Sequence, residues 1–175
     1  MKVLAFAASN NENSINKQLV TYAANLIEGA NVEVLDINDY EMPIFSDKRE
    51  KLLGQPQQAK DFFKKIGDAD AIIISYAEHN GSYTAAFKNL FDWTSRIDMK
   101  VYQNKPMLML ASSPGPGGAS SVLAAASGSA PYFAADVKGT LSIPSFFDNF
   151  DMQTGKLTNS ELNEKLEKAV TMLTS

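Results

Sequence analysis

Val3-Leu4-Ala5-Phe6-Ala7-Ala8 runs straight into Ser9-Asn10-Asn11-Glu12-Asn13-Ser14-Ile15-Asn16, and how that junction is read decides the fold. The first six residues are a short unbroken apolar run, the mark of a strand covered on both faces. The next eight form a loop of hydroxyl and amide side chains leading into a helix, with Ile15, Leu19, Tyr22, Ala23, Leu26 and Ile27 at three- and four-residue spacings. A strand, a polar loop and a helix in that order aim unpaired backbone N–H groups and a helix N-terminus at one point, the geometry an anion such as phosphate needs. The plainer account is that Asn13 or Ser14 only caps the helix. A cap requires one polar side chain, and this loop offers six, Ser9, Asn10, Asn11, Asn13, Ser14 and Asn16.

Outward from the junction the pattern alternates. Gly29 reads as a helix C-cap, and Val32, Val34, Leu35 and Ile37 as a second strand. Asn38 to Phe45 is an irregular piece with a proline, long enough to suggest a functional or subunit contact. Pro56 opens a helix whose apolar face is Ala59, Phe62, Phe63 and Ile66. Ala71 to Tyr76 is a buried strand, followed by a loop over Ala77 to Ser82 and a helix over Thr84 to Arg96 carrying Phe87, Leu90, Phe91 and Trp93. Met107 to Ala111 repeats the buried-strand pattern, Ser112 to Gly118 is a Gly/Pro loop, and a small-residue helix runs from Ala119 to Phe133. Thr140 to Ile143 is the last strand, and Asn159 to Leu173 a closing amphipathic helix.

Five strands alternating with five helices predict an α/β three-layer sandwich, with one parallel five-stranded sheet in the order 2-1-3-4-5 and a single domain over residues 1–175. In that order the loops after strands one, three and four share one end of the sheet. These are the three unusual loops, so they are expected to converge on one crevice.

Composition narrows the chemistry. The chain has 45% hydrophobic and 21% charged residues, ordinary for a soluble globular protein, and no apolar run long enough for a membrane span or a signal peptide, so the cytoplasm is expected. Zero cysteines exclude disulfides, thiolate metal sites and Cys nucleophiles, and a single histidine excludes most zinc and His-paired schemes. No metal site is expected: Asp148 to Asp151 lacks EF-hand spacing and reads as a solvated turn. A net charge of −4 with no Lys/Arg cluster argues against nucleic acid. Whatever chemistry the chain performs is therefore expected to come from a bound cofactor. With neither GxGxxG nor GKS/T present, the first loop suits a mononucleotide better than a dinucleotide or a P-loop substrate. In the second loop, Asn80-Gly81 is either an ordinary positive-φ turn or one that presents backbone amides to a planar ring. In the third, three glycines and two prolines in seven residues either make a flexible surface loop or admit a ligand against the backbone.

Together these segments resemble the NAD(P)H-dependent FMN reductase family of flavodoxin-like proteins, which includes quinone, azo-dye and chromate reductases. Its loops take the forms GSxRxxSxN, PEYNGSxPxxxKNxxDW and SxGxxGG, matched here by Ala8 to Asn16, by Ala77 to Trp93 and by Ser113 to Gly118. The resemblance implies that Ser9, Ser14, Ile15 and Asn16 hold the FMN phosphate, with Asn11 in the place of the usual arginine. It implies that Glu78, His79, Asn80 and Gly81 border the isoalloxazine ring, and that Ser113, Gly115, Gly117 and Gly118 line its other side. Five departures accompany the match. Asn11 supplies no cation, Ala8 replaces a glycine, His79 replaces a tyrosine, and Ala77 and Thr84 replace prolines, which is expected to loosen the second loop. The activity implied is ping-pong hydride transfer from NADPH or NADH through FMN to a small-molecule acceptor such as a quinone or a flavin. The chemistry is borne by the flavin, no acid or nucleophile is required of the protein, and His79 is the one candidate contributor. A homodimer or homotetramer is implied too, with Tyr40 to Phe45 and the helix of Phe91 and Trp93 as candidate contacts. The alternative is a flavodoxin-type FMN electron carrier that does not oxidise nicotinamide; a non-flavin hydrolase is disfavoured by the lack of a GxSxG elbow.

Overall fold

A computed structural model describes residues 1–174. Strands β1 (Lys2–Ala8), β2 (Asn31–Leu35), β3 (Ala71–Tyr76), β4 (Pro106–Ser112) and β5 (Asp136–Ile143) form one parallel sheet in the order β2-β1-β3-β4-β5. Helices α1 (Ile15–Asn25) and α7 (Ser160–Leu173) cover one face. There Val3, Ala5 and Ile73 meet Leu19, Val20, Ala23, Leu166 and Val170. Helices α3 (Gln57–Asp68), α4 (Ala85–Ser95) and α5 (Ser120–Ser129) cover the other, where Leu4, Phe6, Ile72 and Ile74 meet Phe62, Ile66, Phe87, Leu90 and Val122. Phe6 and Phe62 pack edge to face with ring centroids 5.4 Å apart. Six consecutive buried positions in β3 alternate between these two cores, which is why its sequence is an apolar run rather than an alternating one.

The sequence-derived elements differ from the structure at a few places with physical causes. Ile37 is not in β2 but opens a 3₁₀ turn, because the Asp36 carboxylate accepts the Asn38 N–H and turns the chain. Helix α1 is capped at Leu26, and Gly29, at φ +70°, serves the turn into β2 instead. Helix α2 (Asp47–Leu53) was not expected, since none of its residues is buried and it carries no apolar stripe. Its only signals are the cap Ser46, which accepts from the Arg49 N–H, and Gly54 at its end. Strand β5 begins four residues earlier than its β-branched core suggests. Val137 and Gly139 pair with the adjacent Met107 and Leu108, so Lys138 is an extra, bulged residue that breaks the alternation. Beyond β5 lie a one-turn helix α6 (Phe146–Asn149) and a hairpin of β6 (Phe150–Asp151) and β7 (Lys156–Leu157), turned at Asp151.

The irregular segment after the 3₁₀ turn is fastened to α4 from within the chain, with Ile44 left exposed. Asn89 of α4 donates from Nδ2 to the carbonyls of Met42 and Pro43 and accepts the Phe45 N–H at Oδ1, while Trp93 Nε1 donates to Pro43 O at 2.7 Å. Trp93 is fully buried, with Phe45 edge to face against it. The Asn and Trp of the second motif therefore fasten a loop within the chain, and Trp93 offers no surface to a neighbouring subunit. Among the described residues no helix is long and apolar enough to cross a membrane, and no group of three or more His, Cys, Asp or Glu side chains is placed to hold a metal ion.

Candidate active site

The loops after β1, β3 and β4 meet at the carboxyl edge of the sheet, beside the point where strand order reverses. Four side chains hold them there. Asn16, buried in the first turn of α1, accepts from Ser75 Oγ (2.7 Å) and from the Ser112 N–H (3.0 Å), and donates to Ser112 O (3.2 Å). It thus clasps the ends of β3 and β4 to α1. Thr84 Oγ1 donates to Ala8 O at the end of β1 and accepts from the Phe87 N–H as the cap of α4. The expected loosening at Thr84 is not what the structure shows: the hydroxyl replaces proline's rigidity with two bonds. Ser112 Oγ donates to Ile143 O, joining β4 to β5.

Glu78 is the fourth. Its Oε2 accepts the Val122 N–H at 2.7 Å, in the first turn of α5. That helix has Ala119 at its cap, in the left-handed region and without a capping side chain, so Glu78 supplies from another loop the acceptor the helix lacks. Glu78→Ala is expected to cost about 1–2 kcal/mol, as loss of a helix cap does, read as a lower urea midpoint; an unchanged midpoint would show the bond contributes nothing.

In the first loop the polar side chains shape the chain. Ser9 Oγ accepts the Asn11 N–H, Asn11 Oδ1 accepts the Asn13 N–H, and Ser14 Oγ caps α1 through the Lys17 N–H. Ile15 packs its side chain into the core beneath α1, which leaves its first-turn N–H as its only means of meeting an anion. Asn10, Asn11, Glu12 and Asn13 are exposed. The second loop is a tight reversal: His79 and Ser82 exchange both backbone bonds around Asn80 (φ 52°) and Gly81 (φ +77°), the two positive-φ centres such a turn requires. The His79 side chain is exposed.

The third loop divides its glycines. A Cβ on Gly118 would lie 2.2 Å from Ser142 Oγ and 3.1 Å from the Pro144 backbone, so the protein itself requires that glycine. Gly115 and Gly117 have nothing within 4 Å of the corresponding position, and neither does Gly81 across the rim. Backbone bare of side chains on both sides, with hydroxyls, amides and a helix N-terminus beyond, is a cradle that fits a planar ring carrying a phosphate tail. The donor set fits FMN in kind and lacks a cation within the loop.

The family model for NADPH-dependent FMN reductases matches residues 1–148. The chain belongs to that family. The expectation of a flavodoxin-like, nicotinamide-dependent FMN oxidoreductase is thereby borne out at the level of the family. Among relatives, the NAD(P)H-dependent FMN reductase PA1204 of Pseudomonas aeruginosa is 30% identical over 116 residues, which is 66% of this chain and 61% of that protein. The NADPH:quinone oxidoreductase of Arabidopsis thaliana is 30% identical over 122 residues, 67% of this chain and again 61% of the relative. The matches thus span about three fifths of these curated relatives. In fold, the flavoenzyme NAD(P)H:(acceptor) oxidoreductase FerB of Paracoccus denitrificans superposes with a TM-score of 0.75 at 22% identity, covering 99% of this chain and 97% of the other.

Proposed function

We propose that this member of the FMN reductase family oxidises NADPH or NADH and passes the reducing equivalents through FMN to a small acceptor such as a quinone or a flavin. The observation that carries the reading is the rim itself: three loops cross-linked by Asn16, Thr84 and Glu78, with open glycine backbone at one end and the α1 N-terminus at the other. FMN, when bound, supplies the two-electron chemistry. The protein's share is binding and orientation. The first-turn N–H groups of α1 and the side chains of Ser9, Asn11 and Ser14 would hold the phosphate. Glu78, His79, Asn80 and Gly81 would border the ring on one side, and Ser113, Gly115, Gly117 and Gly118 on the other, with Glu78 and Gly118 acting through the shape of the loops. Asn16 would act by its N–H and by fixing the loops, because its amide is engaged within the protein.

The same reading places the protein in the cytoplasm as a homo-oligomer. A groove of about 350 Å³ between α4 and the turn after α5 is lined by Tyr83, Phe87, Phe91, Met99, Tyr102 and Phe133, and Met99 is largely exposed. An aromatic groove of this kind is suited to a second copy, and light scattering is expected to give a multiple of the 19.1 kDa chain mass. The decisive experiment is a titration of the flavin-free apoprotein with FMN, followed by addition of NADH or NADPH. The flavin fluorescence is expected to change on binding, and the nicotinamide absorbance to decay faster than in protein-free FMN. Binding without nicotinamide decay would make the protein an electron carrier, and no binding would end the flavin assignment.

A further inference from the structure

The phosphate loop poses an electrostatic problem. Ser9 to Asn16 contains no Lys or Arg and one exposed acid, Glu12. A phosphate monoester carries close to two negative charges near neutral pH, whereas a helix N-terminus offers roughly half a positive charge. Resting on the FMN reading above, we propose that Lys17 is the counter-ion of the flavin phosphate, parked on Asp36 until the phosphate arrives.

Lys17 is the third residue of α1, and Cα–Cβ bonds in a helix tilt toward the N-terminus, so its long side chain covers the turn that faces the loop. Its Nζ lies 2.7 Å from Asp36 Oδ2, just past the end of β2 and so at the same edge of the sheet as the three loops. The two side chains remain 38% and 34% exposed. An ion pair this accessible contributes about 0–1 kcal/mol and is readily exchanged for a better partner. Asp36 does not depend on the lysine: its Oδ1 accepts from both the N–H and the Nδ2 of Asn38, at 3.0 and 2.9 Å. The lysine bond first, and the Asn38 N–H second, hold the Asp36 carboxyl below its usual range, so it is ionised near neutral pH and keeps the ammonium near the loop. Asn11 uses its Oδ1 to shape the loop through the Asn13 N–H, and the cation nearest to the loop in sequence is Lys17, in the first turn of α1.

The test compares FMN with riboflavin, which has the ring and ribityl chain without the phosphate, by fluorescence titration of the apoprotein. Lys17→Met is expected to weaken FMN about tenfold, the loss of one charge-assisted contact, while riboflavin binds as before. Lys17→Arg is expected to restore FMN binding, and Asp36→Asn, which releases the lysine, to tighten it. The FMN affinity of the wild type should also fall more steeply with salt than that of Lys17→Met. An unchanged FMN affinity in Lys17→Met, or an equal loss for both flavins, overturns the assignment of Lys17 while leaving the cofactor intact. A wild-type protein that binds neither flavin overturns the cofactor reading, and this assignment with it.

Discussion

Asn16→Ala is expected to lower the melting temperature by about 6–12 °C and to weaken FMN and riboflavin alike. The side chain is buried, and its amide makes three hydrogen bonds, to Ser75 Oγ and to both backbone groups of Ser112. Truncation leaves those three groups unpaired in the interior, where each orphan costs about 1–3 kcal/mol before water or rotation relieves part of it. A net loss of about 3 kcal/mol is consistent with that relief, and in a domain of this size each kcal/mol moves the melting point by about 2–4 °C. Both flavins suffer because the damage is to the convergence of the loops, not to a phosphate contact, which sets this variant apart from Lys17→Met. Asn16→Asp is expected to be no milder. It keeps an acceptor for Ser75 and for the Ser112 N–H, yet turns the Nδ2 donor into an oxygen facing Ser112 O and buries a carboxylate against that carbonyl, a cost the helix N-terminus offsets only in part. Thermal melts with parallel flavin titrations check both. A melting point within 2 °C of wild type for Asn16→Ala would show that the clasp is dispensable.

The role of Asn16 marks the boundary of what the chain discloses by itself. The strands β1, β3 and β4, the helices α1 and α4 and the strand order were legible, because continuous apolar runs, caps such as Ser14 and Thr84, and the handedness of parallel crossovers are local or general rules. Helix α2 was not, because a helix that buries nothing has no stripe to read, and the first half of β5 was not, because a bulge at Lys138 interrupts its period. In the site, the convergence of three loops followed from topology. The division of labour among their residues did not. An asparagine that binds a ligand and one that binds a strand end 96 positions away are the same letter, and the spacing within a motif carries no sign of which partner is meant. The same holds for Glu78, whose partner is the first turn of α5, and for Asn89 and Trp93, whose partners are carbonyls of the segment after the 3₁₀ turn.

Glycines that look equivalent in the third loop are expected to behave in opposite ways. Gly118→Ala should cost about 3–4 kcal/mol. The residue sits at φ +58°, where a side chain is strained by about 1–3 kcal/mol. Its new methyl group would also lie 2.2 Å from Ser142 Oγ and 3.1 Å from the Pro144 backbone. The serine can rotate away only by giving up its bond to Gly118 O, and the proline backbone cannot move without shifting the end of β5. Gly115→Ala should leave stability within about 0.5 kcal/mol of wild type, the range of an unstrained surface change, since nothing lies within 4 Å of its Cβ position. Its carbonyl, which accepts from the Ser145 N–H and from Ser113 Oγ, is untouched by the substitution. If the isoalloxazine ring lies against this backbone, the added methyl takes the ring's place, and affinity for FMN and riboflavin should fall about tenfold or more in a protein that melts normally. Chemical denaturation and flavin titration of the two variants separate the cases. A Gly115→Ala protein that binds flavin as wild type does would move the ring off the third loop and onto another part of the rim. A Gly118→Ala protein of undiminished stability would show that the end of β5 yields where close packing says it should not.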